Sequence, residues 1–555
     1  MTNKPITGFP STSQNDYQLN VINIMRHAAR SFGKQEVVSI HPEEPRTRFT
    51  YKETYGRVKR LGNALRNIGV QPGDRVGVLG WNCHRHLEAY YGIPGIGAVL
   101  LLLNIRLSDH DLSFVINHSE AKYIVVDETL VSIAENIVDK CPGIKGFIVL
   151  TDNDLSDVSA ELNPMYSYEA LLKEADPDIK WPVIDEKSAY GACYTTGTTG
   201  RPKGVYYSHR DVYLHAMTIA VNAEMTCRDC FYQLVPMFHA LGWGLPHAAF
   251  LVGAKYVLPG MYNVFDLGSL AEPLVSEGVT ATAGAPALFM PMVEYLRELE
   301  TKPDLTGARF LCGASEPALS LMKDFHDLTN AEIFHAYGAT ETTPLVTINR
   351  LKPWLAKTLT EEEQWDLKRK QGYPVVGLDL KIVDPTGAEV PHDGKSAGEI
   401  LIRGPWITAS YYNAPGSEES FTEDGYWRSG DAGTIDEEAY VKITDRVKDV
   451  IKSGGEWISS VDMENEVMGH PDVLEATVTG IFHPKWEERP LVLVIPREEA
   501  ADRIRKEDII AHLSHKFAKW QLPDEVLFVD SIPKTSVGKF DKKSVRETYK
   551  DLYRK

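Results

Sequence analysis

Cysteine is scarce in this chain: six residues, Cys83, Cys141, Cys193, Cys227, Cys230 and Cys312, among 555. So few exclude a disulfide framework and fit a reducing compartment. Cys227 and Cys230 form one CxxC, with no second pair or suitably spaced histidines beside it, so a metal or redox centre is not expected there. Long apolar runs are missing too. The longest, residues 93–103, is interrupted by Pro94, Gly95 and Gly97, far short of the ~20 residues that a membrane-spanning helix needs. The first residues show no basic-then-apolar signal pattern, so a cytoplasmic location is the expectation. Positive charge is also in deficit. The chain has 59 Lys+Arg against 77 Asp+Glu, a net charge of −18. That balance argues against wrapping nucleic acid, which requires clustered cations, yet leaves room for a local basic pocket.

What is present is ordinary globular composition, 43% hydrophobic and 25% charged, with length enough for several compact units. Residues 20–70 show apolar positions at helical spacing, among them Val58, Leu61, Ala64, Leu65 and Ile68, and Gly69 and Pro72-Gly73 stop the pattern. Short apolar runs at 75–80, 123–126 and 147–150 read as strands alternating with helices, which predicts parallel sheets wrapped by helices. The alternation resumes near Ala189, with strands at 256–258, 281–283, 309–312 and 332–334 and helices at 288–299 and 318–328. Thr360 followed by Glu363 is a capping-box pattern. From Gly372 short strands and turns imply a small β-rich unit, and beyond Arg446 a polar, Lys-rich segment reads as a separate unit.

Five segments carry chemistry. Residues 194–204 (YTTGTTGRPKG) follow a strand-like entry. Their glycines let backbone N–H groups approach phosphate oxygens, four threonine hydroxyls add donors, and Lys203 adds charge. The Lys is followed by Gly204, so this is not the nucleotide loop in which a hydroxyl residue binds magnesium. Residues 337–342 (YGATET) place a carboxylate beside hydroxyls after an apolar run, a set that can hold a hard cation or simply cap a helix. Residues 427–431 (WRSGD) form a turn whose Asp can accept two ribose hydroxyls. Residues 445–458 (DRVKDVIKSGGEWI) and 533–539 (PKTSVGK) add charged and glycine-rich loops.

Taken in order, these segments resemble the AMP-forming adenylating enzymes: acyl-CoA synthetases, firefly-type luciferases and peptide-synthetase adenylation domains. The likeness runs from about residue 20 to 550, and with residues 236–243 (PMFHALGW) and 483–490 (HPKWEERP) it is most similar to medium- and long-chain fatty-acyl-CoA ligases. The resemblance implies an α/β fold: an N-terminal domain, 1–445, of parallel sheets wrapped by helices with a β-barrel-like unit at about 372–445, then a small mobile α+β C-terminal domain, 446–555, hinged near Lys448. It implies a ligase that converts a carboxylic acid, medium-chain fatty acids first, and ATP to acyl-AMP and pyrophosphate, then to acyl-CoA and AMP. ATP, Mg²⁺ and coenzyme A are the implied cofactors, nucleic acid is not a partner, and a homodimer is an expectation. Rival readings are a ligase for short, sulfur-containing or aromatic acids or another acceptor, and a non-catalytic nucleotide-binding homologue.

Residue by residue, the resemblance assigns Thr195, Thr196, Gly197, Thr198, Thr199, Gly200 and Lys203 to the β- and γ-phosphates, Glu341 to Mg²⁺ and Thr340 to a phosphate. Gly313, Ala314 and Ser315 would line adenine, with Tyr337 stacking and Gly338 beside it. Many relatives carry a second glycine in that segment, which this chain lacks. Asp431 would bind ribose, Arg446 ribose or phosphate, and Lys539 would bridge the carboxylate and α-phosphate. Lys452, Gly454 and Gly455 would serve thioester formation after rotation of the C-terminal domain. His239 would orient the carboxylate or gate the thiol, and Trp243 would gate the acyl tunnel; ordinary core packing is the alternative for both.

Overall fold

The structure is a computed structural model that describes residues 6–13, 16–41, 45–158, 161–195, 201–262, 266–447, 449–453, 456–534 and 540–553. The expected site residues Thr196, Gly197, Thr198, Thr199, Gly200, Lys448, Gly454, Gly455 and Lys539 lie outside them.

Two large sheets dominate. The first has seven strands, in the order Met165–Ser167, Gly146–Leu150, Tyr123–Asp127, Arg75–Leu79, Val99–Leu102, Ala189–Tyr194 and Gly204–Ser208. Its pairs are parallel except the last, an antiparallel edge formed by Ala189–Tyr194 and Gly204–Ser208. The second has nine strands, with a parallel centre that includes Glu36–Ser39, Cys230–Tyr232, Ala281–Gly284, Arg309–Cys312 and Glu332–Gly338. The strands of both centres are apolar runs buried on both faces, as parallel sheets covered by helices require. The largest core joins Val76 and Leu100 of the first sheet to Val37 and Phe231 of the second, packed with residues of the helices Ile22–Ser31, Tyr51–Asn67, His84–Gly95 and His209–Asn222.

Local chemistry sets these elements. Tyr51–Asn67 starts at a capping box in which Thr50 accepts from the Glu53 N–H and Glu53 accepts from the Thr50 N–H. Its apolar stripe, Val58, Leu61, Ala64 and Leu65, is buried, and full burial of a leucine such as Leu61 stabilises by about 1.5–3 kcal/mol. Gly92 lets the next helix approach: a Cβ there would stand 2.6 Å from Leu61 Cδ2. The helical reading of 20–70 needs one correction. Glu36–Ser39 and Thr47–Thr50 interrupt it as strands, because Val37 and Val38 pair with Tyr256 and Val257 in the second sheet.

Beyond Gly372 the chain builds a four-stranded antiparallel sheet, Asp379–Val383, Gly398–Arg403, Trp427–Ile435 and Val441–Arg446. From Ile451 it enters a separate five-stranded sheet with its own core of Ile451, Val478, Val492 and Val526.

Candidate active site

Four of the residues singled out by sequence, Lys203, Glu341, Asp431 and Arg446, come together where the first sheet's antiparallel edge meets the end of Glu332–Gly338. The loop between Ala189–Tyr194 and Gly204–Ser208 is closed at its base by two bonds. The Thr195 N–H donates to the Lys203 carbonyl at 2.9 Å, and the Lys203 N–H donates to Thr195 Oγ1 at 3.1 Å. These bonds fix the backbone of Lys203 against Thr195. Its ammonium lies over the ring of Tyr411, 4.6 Å from the centroid.

Glu332–Gly338 extends four residues past the predicted strand and brings Tyr337 and Gly338 to its tip. No other residue fits at 338, since a Cβ there would stand 2.0 Å from the Pro344 carbonyl oxygen. Thr340–Thr342 forms a short 3-10 turn, held by the Tyr207 hydroxyl donating to the Thr340 carbonyl at 2.8 Å. Glu341 is half-buried, and burial pushes its carboxyl up from the ordinary range. The Tyr411 hydroxyl donates to Glu341 Oε1 at 2.7 Å, and the charge of Arg446 also acts on this carboxylate. A hard oxygen donor flanked in the chain by Thr340 and Thr342 fits Mg²⁺, which keeps several water and phosphate ligands.

Residues 427–431 are not the turn that the sequence suggested but the start of the strand Trp427–Ile435, where Asp431 is buried and paired in register with Arg446 of the adjacent strand. Arg446 Nε lies 2.8 Å from Asp431 Oδ1, and the Tyr337 hydroxyl donates to Oδ2. Each carboxylate oxygen keeps a second lone pair for a ligand hydroxyl. Gly313 is buried against the Trp243 ring, 3.1 Å from where a Cβ would stand, while Ser315 is exposed. Ala314 has φ 69°, the left-handed region that glycine favours. Trp243 is half-buried on an unusual turn. Ala240, Leu241, Gly242, Trp243 and Gly244 all have positive φ, between 33° and 73°. A left-handed turn costs roughly 1–2 kcal/mol for each non-glycine residue, and such strain clusters at functional sites. His239, half-buried, precedes this turn, its carbonyl accepting from the Gly242 N–H at 2.8 Å.

Thus Lys203, Glu341, Tyr337, Asp431 and Arg446 fall into one connected region, with Gly313 and Trp243 packed together. Lys452 is not joined to it: the residue is exposed on the five-stranded sheet, its N–H donating to Glu488 Oε2 at 2.9 Å. Sequence reasoning missed Tyr411, Tyr207 and Glu316. The last accepts from Asn465 Nδ2 of helix Ser460–Met468 at 2.7 Å and faces Arg369 at 3.4 Å, and burial pushes its carboxyl up to about 7. No spacing rule links such residues, which meet only in the fold.

The AMP-binding enzyme family model matches residues 25–412, and the AMP-binding enzyme C-terminal domain model matches residues 462–539. The chain belongs to the AMP-binding enzyme family. Within that family it groups with the CoA ligases. It is 44% identical to a long-chain-fatty-acid–CoA ligase of Thermus thermophilus, over 100% of this chain and 99% of that one. It is 38% identical to a medium-chain-fatty-acid–CoA ligase of Ectopseudomonas oleovorans (96% and 97%) and 36% identical to a 3-methylmercaptopropionyl-CoA ligase of Ruegeria lacuscaerulensis (96% and 98%). Among solved structures, the anthranilate CoA ligase AuaEII with anthranoyl-AMP superposes with a TM-score of 0.84 at 22% identity, over 97% of this chain and 99% of that one. ATP-bound MatB from Rhodopseudomonas palustris does so with 0.80 at 23%, over 97% and 100%. Enzymes of this AMP-binding family use ATP and Mg²⁺. Among the described residues, no helix is long and apolar enough to cross a membrane.

Proposed function

We propose that this AMP-binding enzyme is a fatty-acyl-CoA ligase acting on medium-chain acids in the cytoplasm, as a homodimer. The fatty carboxylate attacks the α-phosphate of ATP, giving acyl-AMP and pyrophosphate. The coenzyme A thiol then attacks the acyl carbon, the thioester forms and AMP leaves. A carboxylate is a poor electrophile, so the first step supplies a leaving group, and its transition state loads charge onto phosphate oxygens. Lys203 would meet the β- and γ-phosphates, Glu341 would hold Mg²⁺, and Asp431 with Arg446 would hold the ribose. Bound there, Mg²⁺ would neutralise charge on the triphosphate.

The observation carrying this reading is a continuous chain of contacts: Lys203 over Tyr411, Tyr411 on Glu341 and on Trp427 of the strand that carries Asp431, and Tyr337 with Arg446 on Asp431. The aliphatic substrate is supported by the names of the relatives 44% and 38% identical. The chain leaves the four-stranded sheet at Arg446 and enters the five-stranded one at Ile451, which supports a division into 1–445 and 446–555 with a hinge near Lys448. That hinge would let one site serve both half-reactions, presenting Lys539 in the first and Lys452 with the 454–455 turn in the second.

The test is AMP release from a panel of carboxylic acids, with and without coenzyme A. The expected result is thioester formation with a maximum at medium-chain acids; a maximum at aromatic or sulfur-containing acids, or no thioester with any acid, would overturn the reading.

A further inference from the structure

Tyr411 lies outside every segment that the sequence marks, yet it touches both charged halves of the nucleotide site. Its ring face carries the Lys203 ammonium and its hydroxyl binds Glu341 Oε1. The segment that holds it is pinned at both ends. The Thr408 N–H donates to the Glu341 carbonyl at 2.8 Å, and the Tyr412 N–H donates to the Gly204 carbonyl at 2.9 Å. It therefore bridges the strand that follows the phosphate loop and the turn that carries Glu341.

The proton on the tyrosine oxygen has a fixed destination. Trp427 Nε1 donates to that oxygen at 3.2 Å, so the hydroxyl hydrogen is directed to the carboxylate. Trp427 is buried at the start of the strand that carries Asp431, which gives the phenol a rigid backstop. The aromatic ring meanwhile offers its negative face to an ammonium. Lys203 and Glu341 carry opposite charges in one region, but among the described residues no ion pair joins them. Left alone they would attract each other, and direct pairing would cancel the charges that a metal–triphosphate needs to find.

We propose that Tyr411 is a positioning residue for the Mg²⁺–ATP half of the reaction: it holds the Lys203 ammonium and the Glu341 carboxylate apart and preset toward the same space, the ring serving the cation and the hydroxyl serving the carboxylate. This rests on the reading of Glu341 as the metal carboxylate. The division of labour makes the two functions separable by substitution. Tyr411→Phe removes the hydroxyl and keeps the ring. Tyr411→Leu removes both.

The experiment measures ATP binding calorimetrically, with excess EDTA and at graded Mg²⁺, alongside pyrophosphate exchange and thermal melting. For Tyr411→Phe, half-saturating Mg²⁺ should rise roughly tenfold, the scale of one hydrogen bond to a charged group, while metal-free ATP binds as in the wild type. For Tyr411→Leu, metal-free ATP should in addition bind about threefold more weakly, as expected for a lost cation–π contact. In a Glu341→Gln background, Tyr411→Phe should have no further effect on the Mg²⁺ requirement. An unchanged Mg²⁺ requirement in Tyr411→Phe, or equal losses with and without metal, would overturn the proposal even if the melting temperature fell. Glu341→Gln alone separates the two levels. If it leaves the Mg²⁺ requirement unchanged, the metal assignment itself fails; if it raises the requirement while Tyr411→Phe does not, only the role of Tyr411 fails.

Discussion

His215 offers a quantitative test of how the core beneath the site is built. The ring is fully buried, and its Nε2 accepts the Leu345 N–H at 3.1 Å, just beyond the turn that carries Glu341. Only the neutral imidazole can do this, because a protonated Nε2 would point one N–H at another. Burial accordingly pushes the ring down from 6.5 to about 3. The unfolded chain takes up a proton near 6.5, so this contribution to stability is complete above that pH and is lost as pH falls toward the folded value. Between pH 6.5 and roughly pH 5 the loss is about 2 kcal/mol, at 1.36 kcal/mol for each pH unit. In His215→Gln the titration is absent. The variant should be less stable at neutral pH by roughly 1–3 kcal/mol, from lost ring packing, and that deficit should shrink by about 2 kcal/mol at roughly pH 5. Urea unfolding of both proteins across this range gives the difference directly, with the other buried histidines cancelling. A difference that stays constant with pH would mean that the folded protein accommodates the proton, and the reasoning would be refuted.

Other substitutions probe the site from different sides. Gly338→Ala would drive a methyl group into the Pro344 carbonyl, so pyrophosphate exchange should fall by at least two orders of magnitude; retention of activity would show that the strand tip can shift. Asp431→Asn keeps the shape but removes the charge facing Arg446, and the half-saturating ATP concentration should rise about tenfold with little change for the fatty acid. Gly313→Ala should press on the Trp243 ring and shift the preferred acid length, and adding Trp243→Ala should cancel much of that shift; additive effects would dissociate the two residues.

The parallel sheets were legible because buried strands and amphipathic helices write their burial into local pattern, as in the runs at 75–79 and 123–127 and the stripe Val58–Leu61–Leu65. Lys203, Glu341 and Asp431 were legible because charged residues in glycine- and threonine-rich turns stand out. The strand pair Glu36–Ser39 and Thr47–Thr50 was not, since its stabilising partners lie some 200 residues away, around Tyr256 and Val257. Tyr411 was hidden for the same reason. It sits in a segment with Trp406 and Tyr412, where a tyrosine looks like core, and its partners Lys203, Glu341 and Trp427 come from three separate stretches of the chain.

The reversed hand of residues 240–244 has a mechanical corollary. Each residue there is separated from the common helical basin by a steric barrier near φ 0°, so small thermal excursions cannot unwind the stretch by degrees. If Trp243 admits a hydrocarbon chain, the indole should swing about its own side-chain bonds, like a door on a stiff post, and the aperture behind it should switch between discrete widths rather than stretch continuously.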